Sequence, residues 1–295
     1  MSSIPRTSCP PLCALIAFGL VTCVPGPASA QQPPSSSPEV IAVAGGFDVV
    51  NNYMFRGVRQ NSTGVAMWPF AQLAITPYSG DRTLKRLAID VGFWNSLNTG
   101  DTGSGGPAAK AWYESRFYGS LGLQFGKGMS VATSYTAYKS PNDMFTTVKE
   151  IGVKLAVDDR AALGRAAFMP YALVAIEIDT KPGEGQLDGG LHAGKYLELG
   201  AAPGYAASHA SVAFPVKLGL SLGDYYEIAG KDNTFGYVSV GGMVTVPLGG
   251  ATSFGRWNVH GSVECQAFGE TTKVFNGRDR SKVVGSFGVG LRTGR

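Results

Sequence analysis

The feature that most constrains this chain is a two-residue alternation of apolar and small or polar side chains, repeated along nearly its whole length. Leu87, Ile89, Val91 and Phe93 alternate with Ala88, Asp90, Gly92 and Trp94. Val212, Phe214, Val216, Leu218, Leu220 and Leu222 alternate with Ala213, Pro215, Lys217, Gly219 and Ser221. Val259 to Cys265 and Val283 to Leu291 follow the same pattern. This is the period of an extended strand with one apolar face. About twelve such segments are present, with cores at 45–56, 65–77, 84–95, 110–125, 129–139, 145–157, 168–179, 195–203, 210–222, 235–247, 256–268 and 281–292. Most exceed the roughly five or six residues of a strand in a soluble sheet, and they suit the roughly 9–11 residues of a tilted strand crossing a bilayer.

The connections tend to alternate between long and short. Long ones fall at 59–64, 98–109, 180–194, 223–234 and 269–280; short ones fall at 79–83 and 126–128. Long loops on one side and tight turns on the other are the pattern of an outer-membrane barrel. A secreted β-sandwich or β-helix is the competing fold. Its exterior would be polar and charged, whereas here the polar face is rich in Gly, Ser, Thr and Ala. Only 16% of residues are charged, against roughly 25% in soluble domains. The 41 glycines disfavour a helical protein. The expected fold is therefore an all-β, transmembrane, antiparallel up-and-down barrel of about twelve strands over residues 44–293.

The first 30 residues read as a secretory signal peptide. Arg6 supplies the positive start, Leu12 to Val24 the apolar stretch, and Ala28-Ser29-Ala30 the small-residue cleavage site. A lipoprotein signal, Leu20-Val21-Thr22-Cys23, is the alternative, with bulky Thr22 before its cysteine. Residues 31–43, rich in Gln, Pro and Ser, read as a flexible periplasmic tail. Cleavage removes Cys9, Cys13 and Cys23 and leaves Cys265 without a disulfide partner. The expected location is the outer membrane of a Gram-negative cell, with membrane lipid and the barrel-assembly machinery as partners. The net charge of +4 is mild and dispersed, which gives no nucleic-acid footprint.

Aromatic residues near segment ends suggest girdles at the two membrane interfaces: Trp68, Tyr78, Trp94, Trp112, Tyr113, Tyr138, Tyr171, Tyr237 and Trp257. The alternation turns twelve charges away from the apolar face: Asp48, Arg56, Asp90, Glu114, Arg116, Glu150, Lys154, Glu177, Glu198, Lys217, Glu264 and Arg292. A lysine or arginine facing lipid at mid-depth costs roughly 2–4 kcal/mol, so these side chains are expected to point inward. They either line a pore and set its ion preference or pair into a network that closes the barrel. Twelve strands lie between the roughly eight that side chains fill and the roughly 16–18 that leave an aqueous channel. The loops at 180–194 and 223–234 are candidates to fold inward as a constriction.

Other chemistry finds little support. His192, His209 and His260 fall in an outer loop, a periplasmic turn and a strand, too dispersed for one metal. The stretch Gly122 to Lys127 has three residues between its glycines where a phosphate-binding loop needs four. His260, Ser262 and Glu264 share a strand face, but residues two apart lie roughly 6.6–6.8 Å from each other, too far for direct nucleophile–base contact. No catalytic residue, cofactor or metal is expected.

Asn52-Tyr53-Met54-Phe55-Arg56-Gly57-Val58 resembles the Y-x-F-R-G opening of the TorF-type porin family of proteobacterial barrels. Asp90 to Ser96 and Glu114 to Tyr138 extend the likeness, which would cover about Gly45 to Thr293. The resemblance implies an outer-membrane location and a porin-like role, with no assigned substrate or catalytic residue. Thr293, where such barrels commonly place a terminal aromatic, is a departure. The function expected is passive diffusion of ions or small polar solutes. The alternative is a closed structural, adhesive or receptor barrel acting through its loops.

Overall fold

A computed structural model describes residues 40–61, 63–100, 110–178, 192–207, 209–250 and 254–294. The leader, most of the tail, and most of the loops expected at 98–109 and 180–194 lie outside the described residues.

Twelve strands form a closed antiparallel barrel. They are β1 (Ile41–Val50), β2 (Ala66–Ser79), β3 (Leu84–Asn98), β4 (Trp112–Phe125), β5 (Met129–Lys139) and β6 (Val148–Val157). Then follow β7 (Tyr171–Ile178), β8 (Lys195–Ala201), β9 (Val216–Gly223), β10 (Phe235–Pro247), β11 (Arg256–Phe268) and β12 (Ser281–Gly294). Each pairs with its sequence neighbour, and β12 returns to β1 with Ala42 opposite Gly294 and Val50 opposite Ser286. Closure leaves no unpaired edge, the condition for a sheet to cross a bilayer. No helix among the described residues is long and apolar enough to cross a membrane, so the crossing elements are strands.

Two short pieces, Gly204–Ala206 and Ser211–Ala213, prolong β8 and β9 beyond the wall at the end where the termini lie. Ser211–Ala213 keeps the pairing with β10. Pro215, which has no N–H to donate, separates it from β9. The other end carries the longer loops, including helix α2 (Glu270–Phe275); a short helix, α1 (Arg160–Leu163), sits in the turn after β6.

The two faces sort as the alternation requires. Phe47, Val91, Phe93, Phe117, Leu121, Leu155, Val240, Val263 and Phe287 stand exposed on the outside, a belt suited to lipid. Their neighbours in sequence face the interior. Several inward glycines leave room for a side chain of the adjacent strand. A Cβ on Gly200 would lie 2.3 Å from the Tyr171 ring, and one on Gly219 would lie 2.3 Å from Tyr237. At Gly288 a Cβ would stand 2.1 Å from Asp48 Oδ1 and 2.7 Å from His260 Nε2. Gly288→Val is therefore expected to separate Asp48 from His260 and to cost about 1–3 kcal/mol, as overpacking does. Denaturant unfolding of the micelle-embedded barrel checks it; an unchanged midpoint would show that the interior yields freely there.

The first strand departs from expectation. It ends at Val50, and the chain then turns inward through a hairpin, Met54–Phe55 paired with Val58–Arg59. The segment expected at 45–56 thus splits, and Arg56 lies at the hairpin tip instead of on the wall. Arg56 and Gly57 both have positive φ, 47° and 82°. Positive φ at both central positions is the signature of a type I′ turn, which favours Asn-Gly and imposes strain on an arginine.

Candidate functional site

The interior has two levels. At the loop end the inward hairpin packs into the lumen. Tyr53 packs against Trp68, Trp94 and Tyr113 at centroid separations of 5.3, 5.6 and 6.1 Å. Phe55 meets Tyr138 at 5.7 Å. Tyr225 and Tyr226, from the loop after β9, pack against Tyr196, tilted and edge-on respectively, and meet each other edge-on. With Val50, Val58, Val148 and Tyr237 these residues make one buried cluster.

The girdle expected from the aromatics is therefore corrected. Trp68, Trp94, Tyr113, Tyr138 and Tyr237 form part of the interior plug, and Tyr171 turns its hydroxyl inward to Glu198. Of the nine, Tyr78, Trp112 and Trp257 are exposed.

Two arginines sit within this cluster. Arg56 donates through both terminal nitrogens to Glu150, at 2.6 and 2.9 Å, and to the Tyr225 hydroxyl at 2.8 Å. Its guanidinium lies 4.2 Å from the centre of the Tyr196 ring. These contacts offset both the turn strain and the loss of water around the charge. Arg116 pairs with Glu114 and donates to the Tyr53 hydroxyl, which itself donates to Glu114 at 2.7 Å. The Trp94 ring lies 4.3 Å from the Arg116 guanidinium. Two cations and two anions are thus buried as matched pairs.

Backbone contacts fix the hairpin from the loop side. The Tyr226 hydroxyl donates to the Arg56 carbonyl at 3.0 Å, and Asn276 bridges the hairpin, donating to the Gly57 carbonyl and accepting from the Arg59 N–H, both at 2.8 Å. Burial pushes the Tyr225 and Tyr226 phenols well above their ordinary range, so both keep their protons. The expected inward role of the 223–234 loop thus appears in Tyr225 and Tyr226. The inward course of residues 51–61 has no counterpart among the expected loops.

Below the plug the interior is lined by small and charged side chains. Glu198 accepts from Tyr171, Tyr196 and Tyr237 at 2.7, 2.7 and 3.0 Å. Asp90 accepts from Gln72 at 2.9 Å and Ser120 at 3.3 Å. Asp48 meets His260 Nε2 at 2.6 Å. Lys217 pairs with Glu264 at 3.0 Å, and Lys154 stands 4.2 Å from the Tyr171 ring centre. Arg292 lies opposite Ala44, near the terminus end. Glu177, closer to the loops, accepts from the Gly194 N–H at 3.1 Å. All twelve charges singled out in the sequence turn inward, but they do not converge. Arg56, Glu114, Arg116 and Glu150 belong to the plug, and the others are distributed down the wall. Sequence reasoning missed Tyr53, Tyr196, Tyr225 and Tyr226 as their partners.

Among the described residues no group of three or more His, Cys, Asp or Glu could hold a metal ion. His260 and Ser262 face the lumen, and Ser262 shares its hydroxyl contact with Ser286 at 2.6 Å.

No family model matches this chain, and no curated protein matches it. Solved barrels are similar in fold only. An outer-membrane channel from Pseudomonas putida F1 is 10% identical, with 89% of this chain and 100% of that one covered and a TM-score of 0.47. Outer membrane phospholipase A from Escherichia coli is also 10% identical, covering 84% of this chain and 92% of that one at a TM-score of 0.44. The translocator domain of the autotransporter NalP from Neisseria meningitidis is 12% identical, covering 88% and 90% at a TM-score of 0.42.

Proposed function

We propose that this protein is an outer-membrane channel of restricted conductance for ions or small polar solutes, its loop-end mouth narrowed by the hairpin at 51–61. The loop end is then extracellular and the terminus end periplasmic, the usual orientation of such barrels. One observation carries the reading. Lys217 and Glu264 face inward from opposite sides of β10, yet their side chains remain 27% and 19% exposed. A barrel packed throughout would bury them as fully as Arg116. Water therefore has room in the lower lumen, beside charges able to act on a passing ion. The site needs no cofactor and no turnover, so the reading is also that of a non-enzyme.

Planar-bilayer recording of the refolded chain tests it. Small, discrete conductance steps are expected. In a salt gradient, Lys217→Gln shifts the reversal potential toward cation preference, and Glu264→Gln shifts it toward anion preference. A folded barrel that passes no current, even with its hairpin removed, would sink the channel reading and favour the closed barrel acting through loops.

A further inference from the structure

The charges of the lower lumen are sorted by depth. Asp48, Asp90, Glu177 and Glu198 are 0%, 3%, 4% and 8% exposed, their carboxylates drawn into the wall. Three tyrosine hydroxyls surround Glu198, Gln72 and Ser120 donate to Asp90, and His260 meets Asp48. The cations on the same inward phase stand differently. Arg86, Lys154, Lys217 and Arg292 each keep part of their surface exposed, whatever they pair with. Arg256, opposite Arg292 at the terminus end, is exposed. Among the described residues of the lower lumen, Glu264 is the one acid that is partly exposed, and Lys217 holds it at 3.0 Å. Long lysine and arginine stems carry their charge out to water, whereas the shorter acids stay among the wall's donors.

Two of these cations share a site. Tyr171 on β7 leans across Gly200 on β8, where a Cβ would lie 2.3 Å from its ring. Its hydroxyl donates to Glu198 at 2.7 Å, which fixes the ring. Lys154, on β6, stands 4.2 Å from the ring centre. Lys217, on β9, lies directly opposite Gly200. Ammonium groups from β6 and β9 thus flank one fixed aromatic ring. An ammonium has three donors, and Glu264 takes one of those on Lys217.

Resting on the channel reading above, we infer that the lumen selects anions, and that Lys154 and Lys217 beside Tyr171 are its binding point for the oxygens of a carboxylate or phosphate group. A solute in the lumen water meets ammonium and guanidinium groups directly. The buried carboxylates are already engaged with the wall, so they offer a passing cation few free oxygens. The inward acids outside the plug (Asp48, Asp90, Glu177, Glu198, Glu264) are matched in number by Arg86, Lys154, Lys217, Arg256 and Arg292, so exposure and not count sets the sign. Lysine ammonium groups bind carboxylate and phosphate as point charges and need no fixed approach angle, which suits a solute in transit.

The test is planar-bilayer recording in a potassium chloride gradient, with the fold of each chain verified by heat-modifiable gel migration. The parent should show an anion-to-cation permeability ratio of roughly 3 or more. Lys154→Gln/Lys217→Gln should bring the ratio to about 1 or below, and Lys154→Arg/Lys217→Arg should keep it above 1. Citrate, added to both chambers, can enter only from the terminus end and should lodge at the lysines. It should cut the chloride current of the parent and leave that of the double Gln variant nearly unchanged. A parent ratio at or below 1 decides against the inference without any variant. So does a double Gln variant that matches the parent in both ratio and citrate block, and citrate without effect on the parent removes the binding point. In each of these cases current still flows, and the channel reading stands. A folded barrel that passes no current even without its hairpin fails the channel reading itself, and the anion preference with it.

Discussion

Replacing Glu150 with alanine is expected to destabilise the protein by about 3–5 kcal/mol, the cost of leaving a buried charge without its partner. Arg56 would keep only the Tyr225 hydroxyl and its aromatic neighbours. Neither the ring faces nor a phenol replaces a bidentate carboxylate. The double variant Arg56→Met/Glu150→Met should recover much of the loss, since it removes both desolvated charges and retains comparable volume. Denaturant unfolding from micelles of the parent, Arg56→Met, Glu150→Met and the double variant gives the coupling energy of the pair. A loss below about 1 kcal/mol in Glu150→Ala would mean that the pair is solvated like a surface ion pair and that the plug is not packed as described.

The second large effect concerns passage. Substituting a short Gly-Ser link for residues 52–60 removes Tyr53, Phe55 and Arg56 from the lumen while leaving β1 and β2 paired through Val50 and Ala66. Single-channel conductance is expected to rise several-fold. The barrel should remain heat-modifiable, because its wall hydrogen bonds do not involve the hairpin. Conductance equal to that of the parent would show that the hairpin does not limit flow and that the restriction lies elsewhere.

Much of this architecture is legible in the sequence because a strand's side-chain period is two and one face must meet lipid. Eleven of the twelve expected segments overlap a wall strand along most of their length, and even the bend at Phe214-Pro215 leaves Val216 to Leu222 in phase. Nearness to a strand end places Trp94 in a girdle, but its phase is that of Asp90, opposite to Phe93. Phe93 is 44% exposed and Trp94 only 3%. Phase outranks proximity, because a residue near a strand end still faces only one way.

The plug was harder to read. Arg-Gly is not a usual pair at a type I′ turn, so Asn52 to Arg56 reads as the continuation of the first strand. The contacts that hold the turn inward are remote: Arg56 and Glu150 are 94 positions apart, and Arg56 and Tyr225 are 169 apart. No local pattern encodes such pairings. Their only trace in the sequence is an excess of charged and aromatic residues on the inward phase of the loop half.

The proposed channel has a water-filled lumen whose outer mouth the hairpin narrows to less than the width of a small organic reagent. Ser262 faces that lumen below the plug, while exposed Cys265 can be removed as serine. In a Cys265→Ser/Ser262→Cys chain, a membrane-impermeant thiol reagent should modify the new cysteine from the periplasmic side. From the outside of intact cells it should react only when residues 52–60 have been replaced. Equal modification of the hairpin-bearing chain from both sides, or none from either, would contradict the account.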